Sequence, residues 1–326
     1  MTTVRNILRL LSGAALALAM TTGVQAQEYP SRPIKLIVGF PPGQGIDSNA
    51  REVARRMQDV MGQSWVVDNR AGASGALAQR TGAAAPADGY TLLFTAAGPL
   101  VVNAAVHDKP PYDPINDYAP IGGFSTFPMV LVAHPAFPAK TIAELVALAK
   151  AKPGDIHYAS SGAGVTAHMA MEQLSLAAGI KMNHIPYKGT ALAYTDLLSG
   201  RVSIMWDTPI AALPLIRDGR VRAIAIGGKS RLASLPDVPT VAESGFPNFE
   251  MAVYLGVLGP ANMAREIVNK LNAEVVKITR EPEARAQFAQ QSTDLFASTP
   301  EELGAYIKAD IARWEKIIRE AGIKPQ

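Results

Sequence analysis

Cysteine is absent from all 326 residues, which excludes disulfides, thiolate metal sites and a lipid anchor attached through an N-terminal Cys. A secreted form of such a chain has to be held by its core, which its length allows. Long apolar runs are missing too, since no stretch approaches the ~20 residues that span a bilayer. The net charge is only +3, and no Lys/Arg block forms a nucleic-acid stripe. Arg55-Arg56 reads as the solvated face of a helix. The histidines, His107, His134, His157, His168 and His184, stand singly, with no i, i+4 pair to hold a metal. His168, one turn into a helix, reads either as a structural or capping residue or as a ligand contact. There is no Gly-x-Ser-x-Gly elbow; Gly72-Ala73-Ser74-Gly75 lacks the spacing. Gly43-Gln44-Gly45 is followed neither by the third glycine of a dinucleotide fingerprint nor by a Walker lysine. No cofactor, no metal and no nucleic acid are expected, and catalysis finds no support beyond glycine loops.

What is present begins with an export signal. Arg5 and Arg9 precede an apolar stretch from Leu10 to Met20, and Val24-Gln25-Ala26 is a small-residue cleavage pattern. Cleavage is expected near Ala26, placing the mature chain in the periplasm. Without residues 1–26 the chain carries 29 basic against 28 acidic residues, so the whole-chain charge overstates its basicity. A hydrophobic fraction of 48% with 18% charged residues fits a globular α/β protein large enough for two domains.

Short β-rich runs then alternate with helical periods, which predicts parallel sheets. Ile34–Val38 is followed by a helix whose apolar positions Ala50, Val53, Ala54, Met57, Val60 and Met61 recur at three and four, with Gly62 as its stop. Trp65–Val67 and Tyr90–Phe94 are further strands, each leading into a small-residue loop, and 109–120 reads as irregular and Pro-rich. A strand over 128–133 marks the passage to a second domain. Thr141 and Glu144 form a capping box, as do Thr299 and Glu302 before a long C-terminal helix. The alternation continues through strands at 156–159, 182–185, 202–205 and 222–226, and a strand at 254–259 carries the chain back. The predicted fold is α/β with two lobes, residues 27–125 with 248–326 and residues 126–247, joined by two crossings around a cleft.

The candidate chemistry lies in the loops. Phe40-Pro41-Pro42-Gly43-Gln44-Gly45-Ile46-Asp47 joins strand to helix, and it reads either as a plain connection or as a nest whose N–H groups and helix end hold a carboxylate. Asp47 is placed to brace that loop. Similar loops follow at Ala73-Ser74, at Ala96-Ala97-Gly98, and at Ser160-Ser161-Gly162-Ala163-Gly164-Val165-Thr166. Strand ends of open α/β sheets are where ligands sit, so the repetition carries weight. Asp207 ends a strand, as either a helix cap or a buried acceptor facing the cleft. Trp206 is assigned to the core, and Lys188 reads either as an exposed turn residue or as the partner of a second ligand carboxylate.

The succession Tyr29-Pro30-Ser31-Arg32-Pro33-Ile34, Phe40 to Asp47, Asp68-Asn69-Arg70-Ala71-Gly72-Ala73-Ser74-Gly75, Asp88-Gly89-Tyr90-Thr91-Leu92-Leu93, Tyr187-Lys188-Gly189 and Leu235-Pro236-Asp237-Val238-Pro239-Thr240 resembles the Bug family. These are periplasmic solute receptors of tripartite tricarboxylate transporters. The resemblance implies a monomeric Venus-flytrap protein that closes on a small carboxylate (a di- or tricarboxylate, an acidic amino acid or an aromatic acid) and delivers it to large and small inner-membrane subunits. It implies that Pro42 to Ile46 hold one ligand carboxylate through backbone N–H groups. Ala73, Ser74 and Ala96 to Gly98 would add contacts from the same lobe, and Ser160 to Thr166 with Asp207 from the other. Gln44 and Ile46 interrupt the family's run of three glycines and a hydroxyl residue, Ala71 replaces a usual Pro, and Trp206 a smaller aromatic. These departures open the site to a bulkier, partly apolar acid. A ligand-sensing receptor for a membrane signalling partner and a secreted α/β hydrolase are the alternatives.

Overall fold

The structure is a computed structural model that describes residues 29–107, 109–320 and 322; the leader read over residues 1–26 lies outside them. The segment Arg32–Gln326 forms one compact unit that contains both sheets. Strand β1 (Ile34–Val38) buries four of its five side chains, the near-continuous apolar pattern of a strand covered on both faces. Helix α1 (Gly45–Met61) lays Ala50, Val53, Ala54 and Met57 on the sheet and ends at Gly62, whose φ of 68° closes the last turn. Arg56 is buried rather than solvated: it donates to Glu52 at 2.7 Å, Glu281 at 3.1 Å and Gln287 at 2.7 Å. Burial is tolerable because every charge-assisted bond is supplied by a partner.

The chain continues through β2 (Trp65–Asn69), α2 (Ala76–Ala83), β3 (Thr91–Ala96), β4 (Tyr118–Pro128), β5 (Val130–Ala133), α3 (Ile142–Ala151), β6 (His157–Ser160) and α4 (Thr166–Ala178). Then come β7 (Asn183–Pro186), α5 (Thr190–Leu198), β8 (Ile204–Asp207), α6 (Pro209–Arg217), β9 (Arg222–Ile226), β10 (Ala252–Pro260), α7 (Arg265–Arg280), α8 (Pro282–Ala289), β11 (Asp294–Leu295) and α9 (Pro300–Glu320). One sheet has the order β11-β4-β10-β3-β1-β2, the other β7-β6-β8-β5-β9. These are the two lobes, and α7 and α9 pack on β4 of the first. Among the described residues no helix is long and apolar enough to cross a membrane.

The sheets are mixed rather than parallel. β10 runs antiparallel to β3 and β4, and β5 antiparallel to β8 and β9. A parallel neighbour needs a helical crossover, and these strands are the ones that carry the chain between lobes without one. β4 also corrects the irregular reading of 109–120, for it begins at Tyr118 and runs eleven residues. Its Pro120 and Gly122-Gly123 conceal it from a propensity reading. Where the two crossings pass between sheets they bond to each other: Met129 N–H donates to the Met251 carbonyl at 3.1 Å, Gly227 N–H to Met129 at 2.8 Å and Met251 N–H to Gly227 at 2.6 Å.

Candidate functional site

Five strands deliver the chain to the cleft at their carboxyl ends. β1 leads through Phe40–Gln44 into α1, β3 into a π-helical turn over Gly98–Val102, β6 into α4, β7 into α5 and β8 into α6. The first residues of α1, α4, α5 and α6 therefore converge, and Gly45, Ile46, Thr166, Ala167 and Thr190 line an inner pocket of about 60 Å³ together with Phe40, Gln44, Ala96, Asp207 and Thr208. None of these four helices has a side-chain cap on its N-terminal N–H groups. Away from the cleft, α3 and α9 are capped, Thr141 accepting from Glu144 N–H at 3.2 Å and Thr299 from Glu302 N–H at 3.1 Å. Uncapped ends leave free donors and the positive ends of helix dipoles pointing at one small volume, which suits an anion.

The second lobe supplies acceptors to the same pocket. Asp207 is 6% exposed, its Oδ1 accepts from Thr208 N–H at 2.8 Å, and its Oδ2 has no partner. Thr208, rather than Asp207, occupies the N-cap position of α6, and its buried hydroxyl is unpaired as well. Burial pushes the Asp207 carboxyl up to about 7, against the pull of Thr208 N–H and of the Tyr194 hydroxyl. Neither the Tyr194 hydroxyl nor Asp207 Oδ2 makes a formed hydrogen bond. Buried polar atoms are ordinarily bonded, and orphans grouped on one wall await a partner from the cleft.

Loop by loop, the residues singled out from sequence fall into three positions. Phe40, Gln44, Gly45, Ile46, Ala96, Ser161, Thr166 and Asp207 line the inner pocket. Ala73, Ser74, Gly162 and Ala163, again with Phe40 and Ser161, line a larger outer cavity of about 590 Å³. Pro42, Gly43, Asp47, Ala97, Gly98, Ser160 and Gly164 line neither. Gly43 is exposed with φ at 84°, and its N–H donates to Asp47 Oδ2 at 2.8 Å. Asp47 also accepts from Arg51 at 2.9 Å and Asn69 at 2.8 Å. Burial works to raise this carboxyl, but bonds from Arg51, Asn69 and Gly43 outweigh it and hold it below the usual carboxylate range. Gly98 and Gly164 serve close approach, since a Cβ on Gly98 would stand 2.6 Å from Thr166 Oγ1 and one on Gly164 3.0 Å from Val106. Gly45 does likewise: a Cβ would meet Ile210 at 2.6 Å and Thr208 at 2.8 Å across the cleft.

Ser160 is fully buried, with its hydroxyl on the Gly162 carbonyl at 2.6 Å and His184 Nε2 at 2.7 Å. His184 stacks on His168, with ring centroids 3.9 Å apart, and His168 Nδ1 accepts from Gly164 N–H at 3.1 Å. Burial lowers His168 to about 4, and burial with the neighbouring His168 lowers His184 to about 3. Both rings are therefore neutral and brace the loop from behind. Trp206 is 1% exposed, stacked on Phe249 in the core.

Residues the sequence reading passed over include Pro186, Tyr187 and Gly189 in the outer wall and Thr190 and Thr208 in the inner one, while Lys188 is exposed and also lines the outer wall. Tyr187-Lys188-Gly189 was visible as a motif, and its place after a strand was the available signal. In the outer wall Ala73 and Ser74 adopt left-handed φ of 47° and 53°, a conformation costly for residues with a Cβ. Among the described residues no group of three or more His, Asp or Glu is placed to hold a metal ion.

Residues 49–323 match the tripartite tricarboxylate transporter family receptor model. The chain belongs to this family. It is 36% identical to the protein BugT of Bordetella pertussis over 98% of this chain and 99% of the relative. Among solved structures, R. palustris Rpa4515 with adipate superposes with a TM-score of 0.88 at 33% identity, over 92% of this chain and all of the other. MatC of Rhodopseudomonas palustris, with bound malate, gives 0.84 at 28% identity over 89% of this chain and all of that one. The family's receptors are periplasmic solute-binding proteins with this two-lobed fold.

Proposed function

We propose that the chain is a monomeric periplasmic receptor that captures a small carboxylate between its lobes, residues 27–125 with 248–326 and residues 126–247, and delivers it to the large and small inner-membrane subunits of a tripartite tricarboxylate transporter. The observation that carries this reading is the convergence of four uncapped helix ends on a pocket bordered by unpaired Asp207 and Thr208 oxygens. Donors from α1 take one carboxylate oxygen pair, those from α4 and α5 meet it from the opposite lobe, and ordered water bridges to Asp207. Adipate and malate in the two solved relatives support a carboxylate as ligand. Export with removal of the leader near Ala26 completes the assignment, and the role is capture rather than catalysis.

The test is titration calorimetry with thermal unfolding against di- and tricarboxylates, acidic amino acids and aromatic acids. A ligand present at 100 times its Kd stabilises the fold by about 2.7 kcal/mol. Absence of both heat and thermal shift across the whole panel would overturn the reading. Delivery is tested by uptake of the identified acid with the chain deleted and restored.

A further inference from the structure

On the carboxylate reading, the inner pocket holds two acids once its ligand enters, and no base. Among the described residues that line it, Asp207 is the one ionisable side chain, and no Lys, Arg or His joins it. β5 sets Val130 beside Asp207, and across the pocket stand Gln44 and Ile46 at the start of α1 and Thr166 of α4, none of which titrates. Tyr194 of α5 does titrate, but burial keeps its hydroxyl protonated far above neutrality. His168 and His184 stand behind the loop and are neutral. Donors to Asp207 are scarce as well: Thr208 N–H reaches Oδ1 at 2.8 Å, whereas Oδ2 is buried and accepts nothing. An ionised carboxylate offers acceptors only, while a protonated one adds a donor. Two ionised carboxylates within about 60 Å³ would therefore meet acceptor to acceptor, as like charges shielded from water.

We propose that this receptor captures its acid together with one proton, which enters from solvent with the ligand and is held between Asp207 Oδ2 and the bound carboxylate. This rests on the carboxylate reading above and goes beyond it by adding the proton to what is captured. The proton removes both costs at once. It cancels one of the two like charges, and it turns the orphan oxygen into a donor for the ligand, directly or across a bridging water. The free N–H groups of α1, α4 and α5 are then left for the ligand's own oxygens. Only an O–H bond is made and broken, since the proton joins Asp207 on binding and returns to water on release. In the empty receptor the Asp207 carboxyl sits at about 7, so uptake is largest above neutrality. Below it, the proton is already in place before the acid arrives.

The experiment counts protons on the full exported chain. Adipate, benzoate and malate, each neutralised beforehand, are added to the protein in weakly buffered solution at pH 8 and at pH 6. The acid needed to restore the starting pH gives the protons taken up, and calorimetry gives the fraction of sites filled. Each ligand that binds is expected to bring close to one proton per filled site at pH 8 and a smaller fraction at pH 6. In Asp207→Asn an amide supplies a permanent donor, and binding is expected with no uptake at either pH. The count on the native chain decides the matter even where that variant does not fold. Binding heat at pH 8 without proton uptake overturns the proposal and leaves the carboxylate reading standing. Uptake that persists in a folded Asp207→Asn overturns it too, by placing the proton on another group. Heat from none of the three acids removes the carboxylate reading and this one together.

Discussion

The Gly43 N–H donates to Asp47 Oδ2 across 2.8 Å, tying the loop that leaves β1 to the first turn of the helix it feeds. The Asp47→Ala variant loses this bond and those from Arg51 and Asn69. We expect a destabilisation of about 1–3 kcal/mol, the cost of losing hydrogen bonds to a buried charged carboxylate, together with weaker carboxylate binding. Urea unfolding and calorimetry measure the two. Because the folded carboxyl is held below its unfolded value, its contribution is present above the unfolded pKa and is lost as the pH falls through the folded one. The difference between native and Asp47→Ala should therefore shrink below about pH 4.

Asp207 has the opposite sign. Its folded carboxyl sits at about 7, whereas the unfolded one is near ~3.9. Between these values the folded state holds more protons, so this group lowers stability as the pH rises from about 4 to about 7, with no further change above. Asp207→Asn should raise Tm relative to the native chain at pH 8 and lose that advantage at pH 4. Native binding of a carboxylate should weaken between pH 6 and pH 8, by at most about tenfold per pH unit, and Asp207→Asn should flatten that slope. A slope retained in the variant would place the titration elsewhere.

The close approach of Gly45 to Thr208 and Ile210 makes a different prediction. Overpacking costs about 1–3 kcal/mol, and in Gly45→Ala it falls only on the arrangement in which the lobes touch. Affinity should drop about tenfold or more, while the unfolding midpoint without ligand changes little. Calorimetry and small-angle scattering with and without ligand check this; full affinity with normal compaction would refute it.

The His168–His184 pair gives a further pH dependence. Folded values of about 4 and about 3 lie below the unfolded ~6.5. In that interval the unfolded chain binds more protons, so stability present at pH 7 is lost as the solution is acidified. The urea midpoint should fall between pH 7 and pH 5, and His184→Gln should reduce the fall. Asp207 offsets part of the effect, so the comparison is cleanest in the Asp207→Asn background.

Those elements whose signals are local were legible in the chain. The period of α1, the capping boxes at Thr141 and Thr299 and the glycine loops after β1 and β6 depend on neighbours in sequence. Strand direction was not, because the alternation that predicts parallel pairing says nothing of β4, β5 and β10, which link the lobes. Arg56 looked solvated since its partners Glu281, at the junction of α7 and α8, and Gln287, in α8, are more than two hundred residues away. In the site, Phe40 to Ile46 announced themselves through turn chemistry, but Thr190 and Thr208 are ordinary residues that matter only because their helices begin at the cleft. Gly45 was read as part of a turn or nest, whereas its missing Cβ is what lets the other lobe approach.

The uncapped ends of α4 and α5 put residue and solute in competition for the same N–H groups. Val165 and Gly189 occupy positions where Ser, Thr or Asp would satisfy the helix from within. A Val165→Ser replacement should then stabilise the empty receptor by about 0.5–2 kcal/mol and weaken its hold on a carboxylate, since a helix already finished has less to gain from a guest. The receptor's solute would thus act as the last capping group of its fold.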